Sequence, residues 1–247
     1  MDKLISKLKN GIAKKDFIKL LQKEYPGFDF ESLYDLLKFQ GLPLTLIDNK
    51  VYLKTALIPY DEYEYTIVDL EVNNSRPKEG QAIEIGAVKL KNGKVIDEFS
   101  SLIYANEVPK YVTKVTGISK KMLQNQKSQK EILKKFRLFL GDSVFVAHAA
   151  DFDFFFLAKQ FEKENLGKLL NRHLCTIKLA EKTIKADRYG LKYLKEELNL
   201  PPEIEHRALG DARTTARVFL KSLENLPKNI ISVEDLVEFA APKKAKK

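Results

Sequence analysis

The stretch from Tyr65 to Ala149 limits the fold more than any other part of the chain. It contains four short apolar runs, YTIVDLEV, IEIGAVKL, KVIDEFSSLIY and VFVAHA. Their length and β-branched content read as strands. Asn92-Gly93, between the second and third runs, is a type I′ turn signal. Helical periodicity then takes over near 128–140, 153–165, 177–184, 190–198 and 208–224, with a further strand-like segment near 173–176. The last helix carries Ala208, Ala212, Thr215, Ala216 and Phe219 on one stripe. A three-stranded meander feeding β-α units predicts an α/β fold whose mixed sheet has helices on both faces.

Residues 1–62 follow a different pattern. Helices are expected near 2–10, 15–24 and 30–40, with Pro26-Gly27 between the second and third. LTLIDNKVYLKT then reads as a hairpin turning at Asp48-Asn49. Three helices plus a hairpin make a winged-helix-like α+β module. Its third helix carries Glu31 and Asp35 against Lys38, whereas a groove-reading helix should be basic. A structural or protein-contact module is therefore favoured over a DNA reader. The expected organisation is this module at 1–62, the α/β domain at 63–226, and a C-terminal tail at 227–247. Residues 56–64 are the expected linker.

Composition narrows the function classes. With 44% apolar and 31% charged residues, the chain is globular rather than disordered. No run approaches the roughly 18 apolar residues that span a bilayer. MDKLISKLKN lacks an apolar signal core, and the lone Cys175 excludes an internal disulfide. A cytoplasmic location is expected. The net charge of +9 suggests an acidic partner. That charge is uneven: +1 on residues 1–62, +4 on 63–240 and +4 on the last seven residues, APKKAKK. The basic end reads as a solvated tail with a phosphate-attracting alternative.

Three sets of residues carry chemistry. Asp69 and Glu71 end an apolar strand two positions apart, so both point to one side while Leu70 faces away. Asp153 sits where a buried strand turns into a helix, with Asp151 as a competitor; either carboxylate could instead serve the helix start. His206 precedes Asp211 by five residues, about 140° apart on a helix, so both reach one site only if His206 lies on the loop before the helix. Each element alone has an ordinary reading as a frayed strand end, a helix cap or a dipole partner.

Together and in this order, residues 65–224 resemble the DEDD exonuclease superfamily, in the DnaQ-like branch that carries a catalytic histidine. The resemblance implies a ribonuclease-H-like mixed five-stranded sheet. The family's first motif falls on Asp69 and Glu71. Its second, usually His-Asn-Ala-x-Phe-Asp, falls on His148 to Asp153 and selects Asp153 over Asp151. The third, His-x-Ala-x-x-Asp, falls on His206 and Asp211. Two departures stand out: Val72-Asn73-Asn74 replaces the usual Thr-Thr-Gly, and Ala149 replaces the Asn of the second motif. Both bear on substrate positioning or packing, and neither removes a metal ligand.

The resemblance implies hydrolysis at a nucleic-acid 3′ end with two Mg²⁺ or Mn²⁺ ions. Asp69 would bridge the ions, Glu71 and Asp211 would help hold the one bearing the attacking water, and Asp153 would help hold the other. Four acids without a thiolate suit such hard cations. His206 would be the general base, a role that suits an imidazole near neutral pH. Substrate contacts are expected at Leu70, Val72, Val115, Thr116, His148 and Phe152. A packed structural role for His148 stays open, and His173 and Cys175 read as scaffold. The leading function is epsilon-type proofreading, with a single-stranded DNA 3′ end as substrate and the alpha subunit of DNA polymerase III as partner. A free-standing exonuclease for RNA ends, oligonucleotides or repair is the alternative, and an inactive nuclease fold used for binding the third. The apolar set Ile230, Ile231, Val233, Leu236, Val237 and Phe239 suits docking on the chain's own domain or on a polymerase.

Overall fold

The computed structural model describes residues 1–241. Helix α1 (Asp2–Leu8), strand β1 (Ile12–Ala13), α2 (Lys14–Leu21), α3 (Phe30–Phe39) and a hairpin of β2 (Leu44–Ile47) and β3 (Lys50–Leu53) come first. Asp48 and Asn49 turn the hairpin at φ 46° and 62°, the positive values that a type I′ turn requires. Asp29 caps α3 by accepting the Ser32 amide at 2.8 Å. The three strands run in the order β1-β3-β2. Helices and sheet close over Leu8, Phe17, Leu33, Leu37, Val51 and Leu53. The sequence reading omitted β1, because two residues leave no periodicity.

After a 3-10 turn at Lys54–Ala56 come β4 (Glu64–Val72), β5 (Ala82–Lys91) and β6 (Lys94–Leu102). These form the expected antiparallel meander. Helices α4 (Lys110–Thr116), α5 (Lys120–Leu123) and α6 (Gln129–Leu140) lead to β7 (Val144–Ala147). Then follow α7 (Ala150–Lys163), β8 (His173–Cys175), α8 (Thr176–Thr183), α9 (Leu191–Glu197), α10 (Ala208–Leu223) and α11 (Val233–Ala240). The five-stranded sheet has the order β6-β5-β4-β7-β8, with β7 parallel to β4 and β8 parallel to β7. Seven-residue α4 and four-residue α5 were not expected, being too short for a 3.6-residue repeat to show.

Alternation along β4 sorts the two faces. Val68 and Leu70 enter a core with Phe136 of α6 and Phe156 and Phe161 of α7. Tyr65 and Ile67 face the other way, toward Phe219 of α10 and Leu236 of α11. Asp69 and Glu71 continue this second series, so they point toward α10.

Residues after α10 extend this core. Val233 and Leu236 are fully buried, and α11 begins with a Ser232–Asp235 capping box. Of the two docking surfaces open to the apolar C-terminal set, the chain's own domain takes it, although Ile231 stays exposed. The segment read as a linker is pinned here too, since Tyr60 donates its amide to the Ile231 carbonyl at 3.0 Å. The basic end, from residue 242 on, lies outside the described residues.

The N-terminal helices and hairpin are clasped to the rest of the chain at two buried charges. Arg137 of α6 donates to the carbonyls of Phe39, Leu166 and Lys168 at 3.2, 3.2 and 2.9 Å, and its guanidinium lies 4.3 Å from the Phe161 ring centroid. Glu234 of α11 accepts from Arg172 at 2.6 and 3.0 Å and from Thr55 at 3.0 Å, with the Lys9 ammonium 3.4 Å away. No helix among the described residues is long and apolar enough to cross a membrane.

Candidate active site

The site is built at the C-terminal end of β4. Its pairing with β5 sets Asp69 opposite Gly86 and Glu71 opposite Glu84, with the register shifting between Glu71 and Val72. Lacking a side chain, Gly86 lets the start of α10 lie on the sheet: a Cβ there would stand 2.1 Å from the backbone of both Ala208 and Leu209. Gly210 allows a second close approach, to the Ile204 carbonyl. These contacts bring Asp211, in the first turn of α10, over the two strand carboxylates. Oxygens of Asp69, Glu71 and Asp211 lie within 4.8 Å of one another.

Asp153 comes from the other side, on the first turn of α7. It is 5% exposed, whereas Asp151 faces solvent. That difference separates two acids that spacing alone left equivalent. Asp153 falls outside the tightest cluster, but its charge is felt there. The Asp69 carboxyl is driven well above the usual carboxylate range, by burial first and then by the charges of Asp153, Asp211 and Glu71. Burial, with a contribution from Glu71, pushes Asp153 up to about 8. Glu71 rises to about 7, through burial and the charges of Asp211 and Glu84, against an opposing pull from Arg207. Asp211 also rises through burial, partly offset by the His206 amide.

His206 lies on the loop before α10, as its angular offset from Asp211 requires. Its backbone is left-handed, at φ 54°, its amide donates to Asp211 at 2.9 Å, and its side chain is exposed. The loop is held by Glu203, 2.8 Å from Arg217, and by Glu205, 3.0 Å from Lys195. His206 lines a cavity of about 250 Å³ together with Asp69, His148 and Asp211. His148 reaches Thr176 through Nδ1 at 2.9 Å, and burial lowers its pKa to about 4, so it is neutral at pH 7.

The expected substrate contacts divide into free and committed groups. Phe152 and Val115 are exposed, at 39% and 55%. The Leu70 side chain is buried in the core, so only its backbone is available, and Val72 is partly packed against the same core. Thr116 does not present a free hydroxyl. It donates to the Val112 carbonyl at 2.9 Å and accepts the Ile118 amide at 3.0 Å, shaping the end of α4. Asn73, in the departure from Thr-Thr-Gly, accepts the Gln81 amide at 2.9 Å and donates to the Glu107 carbonyl at 3.0 Å. Ala149, the other departure, is left-handed at φ 74°, and α7 therefore begins at Ala150 rather than Asp153.

The reading of the residues missed Glu84 and Arg207. Glu84 is 2% exposed and bound by the Arg207 guanidinium, its closest contact 2.7 Å. The available signal was a charge within the apolar first part of β5, from Ala82 to Val88, on the face shared with Gly86 and Val88.

Clustered carboxylate oxygens without a thiolate fit hard divalent cations, and a cation relieves the mutual repulsion that adds to burial in raising their pKa values. A ribonuclease-H-like sheet with an acidic cluster at the end of its central strand defines a nuclease. Residues 66–219 match the exonuclease family RNase_T, and the chain belongs to that family. It is 34% identical over 164 residues to the DNA polymerase III subunit epsilon of Aquifex aeolicus, covering 66% of this chain and 81% of that one. It is 35% identical over 193 residues to the PolC-type DNA polymerase III of Thermotoga petrophila, covering 74% of this chain but 14% of that much longer protein. Among solved structures, exonuclease X in complex with 5′ overhanging duplex DNA superposes with a TM-score of 0.57 at 21% identity, over 72% of this chain and 99% of that one. The chain is thus a hydrolytic nuclease of an exonuclease family, homologous to a DNA polymerase III subunit epsilon and to a small part of PolC-type DNA polymerase III.

Proposed function

We propose that the chain removes nucleotides from DNA 3′ ends and proofreads for a polymerase of the DNA polymerase III type. The observation that carries this reading is the convergence of Asp69, Glu71 and Asp211, with Asp153 buried beside them. Asp69, Glu71 and Asp211 would hold one divalent cation, with Asp69 shared toward Asp153 and a second. When bound, Mg²⁺ or Mn²⁺ would supply the positive charge that lets a phosphodiester approach four acids, and Lewis acidity at the attacking and leaving oxygens. His206, exposed at the cavity rim, accepts the proton of the attacking water. Neutral His148, held to Thr176 through Nδ1, lines the cavity beside the proposed position of the sugar-phosphate. Phe152 and Val115 offer apolar surface to the terminal base and sugar. The α subunit of the polymerase is the proposed partner, and a cytoplasmic location suits this role.

The test uses DNA labelled at either end, with paired and mispaired 3′ termini, and Mn²⁺ or Mg²⁺. Release of mononucleotides from the 3′ end, faster from mispaired termini and lost in Asp153→Asn, is the expected result. Comparable activity in a folded Asp153→Asn protein rejects the site. A strong preference for RNA ends, with no co-purifying polymerase subunit, rejects proofreading in favour of a free-standing exonuclease.

A further inference from the structure

We propose that Glu84 and Arg207 form a positioning pair, which orients His206 at the entrance to α10 and keeps Arg207 from occupying Glu71. This inference rests on the nuclease reading above and deepens it. Glu84 and Glu71 are direct cross-strand partners on one face of the sheet. Like charges in that relation repel, and a carboxylate at 2% exposure is costly unless it is paired. Glu84 is paired completely. Arg207 Nε lies 3.2 and 3.1 Å from its two oxygens, Arg207 Nη2 lies 2.7 Å from Oε1, and the Ala208 amide donates to Oε2 at 3.1 Å.

The attachment point gives the pair its consequence. Arg207 stands between His206 and the first residue of α10, so the fork fixes the residue beside His206 to β5, while the Gly86–Ala208 contact holds the height of Asp211 independently. Arg207 also lies within the electrostatic reach of Glu71. Without Glu84 to hold it, the guanidinium has Glu71 as an alternative carboxylate and competes there with a divalent cation. Supporting groups of this kind typically change metal affinity or activity by about 10–100-fold.

The experiment compares the full chain with Glu84→Gln, Arg207→Gln and the double variant. Mn²⁺ binding is followed by electron paramagnetic resonance and titration calorimetry, and kcat and KM are measured on a single-stranded oligonucleotide. Glu84→Gln is expected to weaken Mn²⁺ binding and lower kcat, each about 10-fold or more, with KM within about threefold of the parent. The double variant removes the competing cation, so Mn²⁺ affinity should recover to within about threefold of the parent while kcat stays low. A merely structural role predicts no recovery. Parental Mn²⁺ affinity in folded Glu84→Gln, or an unrecovered double variant, overturns the pair's role. Should Glu84→Gln fail to fold, Arg207→Gln decides alone: near-parental Mn²⁺ affinity with reduced kcat supports the proposal, and unchanged kcat overturns it. Absence of Mn²⁺ binding in the parent would instead refute the nuclease reading itself.

Discussion

Gly86 on β5 faces the backbone of Ala208 on α10 so closely that an added Cβ would stand 2.1 Å from the Ala208 carbonyl carbon. This contact, between residues far apart in sequence, sets the height of α10 above the sheet and hence of Asp211 above Asp69. Gly86→Ala should push the helix outward. The expected loss is about 1–3 kcal/mol of stability, as for other overpacked sites. Activity should fall about 10²-fold, the scale of an ångström misplacement. Denaturant unfolding and an oligonucleotide assay check both effects.

Stability of the metal-free protein should fall as pH rises. Glu71 and Asp153 reach about 7 and about 8 in the folded chain, against roughly 4 for unfolded carboxylates. Above pH 4 the unfolded chain releases protons that the folded chain keeps, so raising the pH favours unfolding until the folded groups ionise as well. Thermal melting in chelator should therefore occur at lower temperature at pH 8 than at pH 5. Added Mn²⁺ should reverse that trend, because it binds the ionised cluster.

His206→Ala should slow turnover by about 10²–10⁴-fold, the usual contribution of a general base. The left-handed backbone at φ 54° makes Asn the better control, since Asn tolerates that conformation and Ala does not. His206→Asn should lose turnover to the same degree while melting near the parental temperature. An unchanged turnover rate in either variant would remove His206 from the chemistry.

Ala149→Asn should stabilise the protein. Ala149 is held at φ 74° and ψ 49°, a conformation that disfavours Ala. Relief of about 0.5–1 kcal/mol is expected, or about 1–4 °C in melting temperature for a chain of this size. Ala149→Gly should give a similar gain. A drop in melting temperature for both would show that the local packing, and not the backbone, governs this position.

Much of the architecture was legible because β4 alternates cleanly. Tyr65, Ile67, Asp69 and Glu71 fall on one face, and the two acids two positions apart already implied convergence. The offset between His206 and Asp211 likewise implied a loop before α10. Spacing alone could not separate Asp153 from Asp151, because both occupy the first turn of α7; the family motif selected Asp153, and the packing of that helix buries it. The partnership of Glu84 with Arg207 was invisible for a different reason: 123 residues separate them, and no local pattern reports a tertiary contact. Ala149 could be seen as an unusual residue, but its left-handed backbone had no local signature. The docking of α11 was an open choice because an amphipathic face does not name its partner.

Glu234 gathers Lys9 from the first helical region, Thr55 from the turn after the hairpin and Arg172 from the approach to β8 around one carboxylate. Neutralising that single side chain would loosen three distant stretches at once. Trimming away residues 1–55 would strip it of Lys9 and Thr55 and leave Arg172 to hold it, so a fragment cut at the start of the family match should melt at a lower temperature than the full chain.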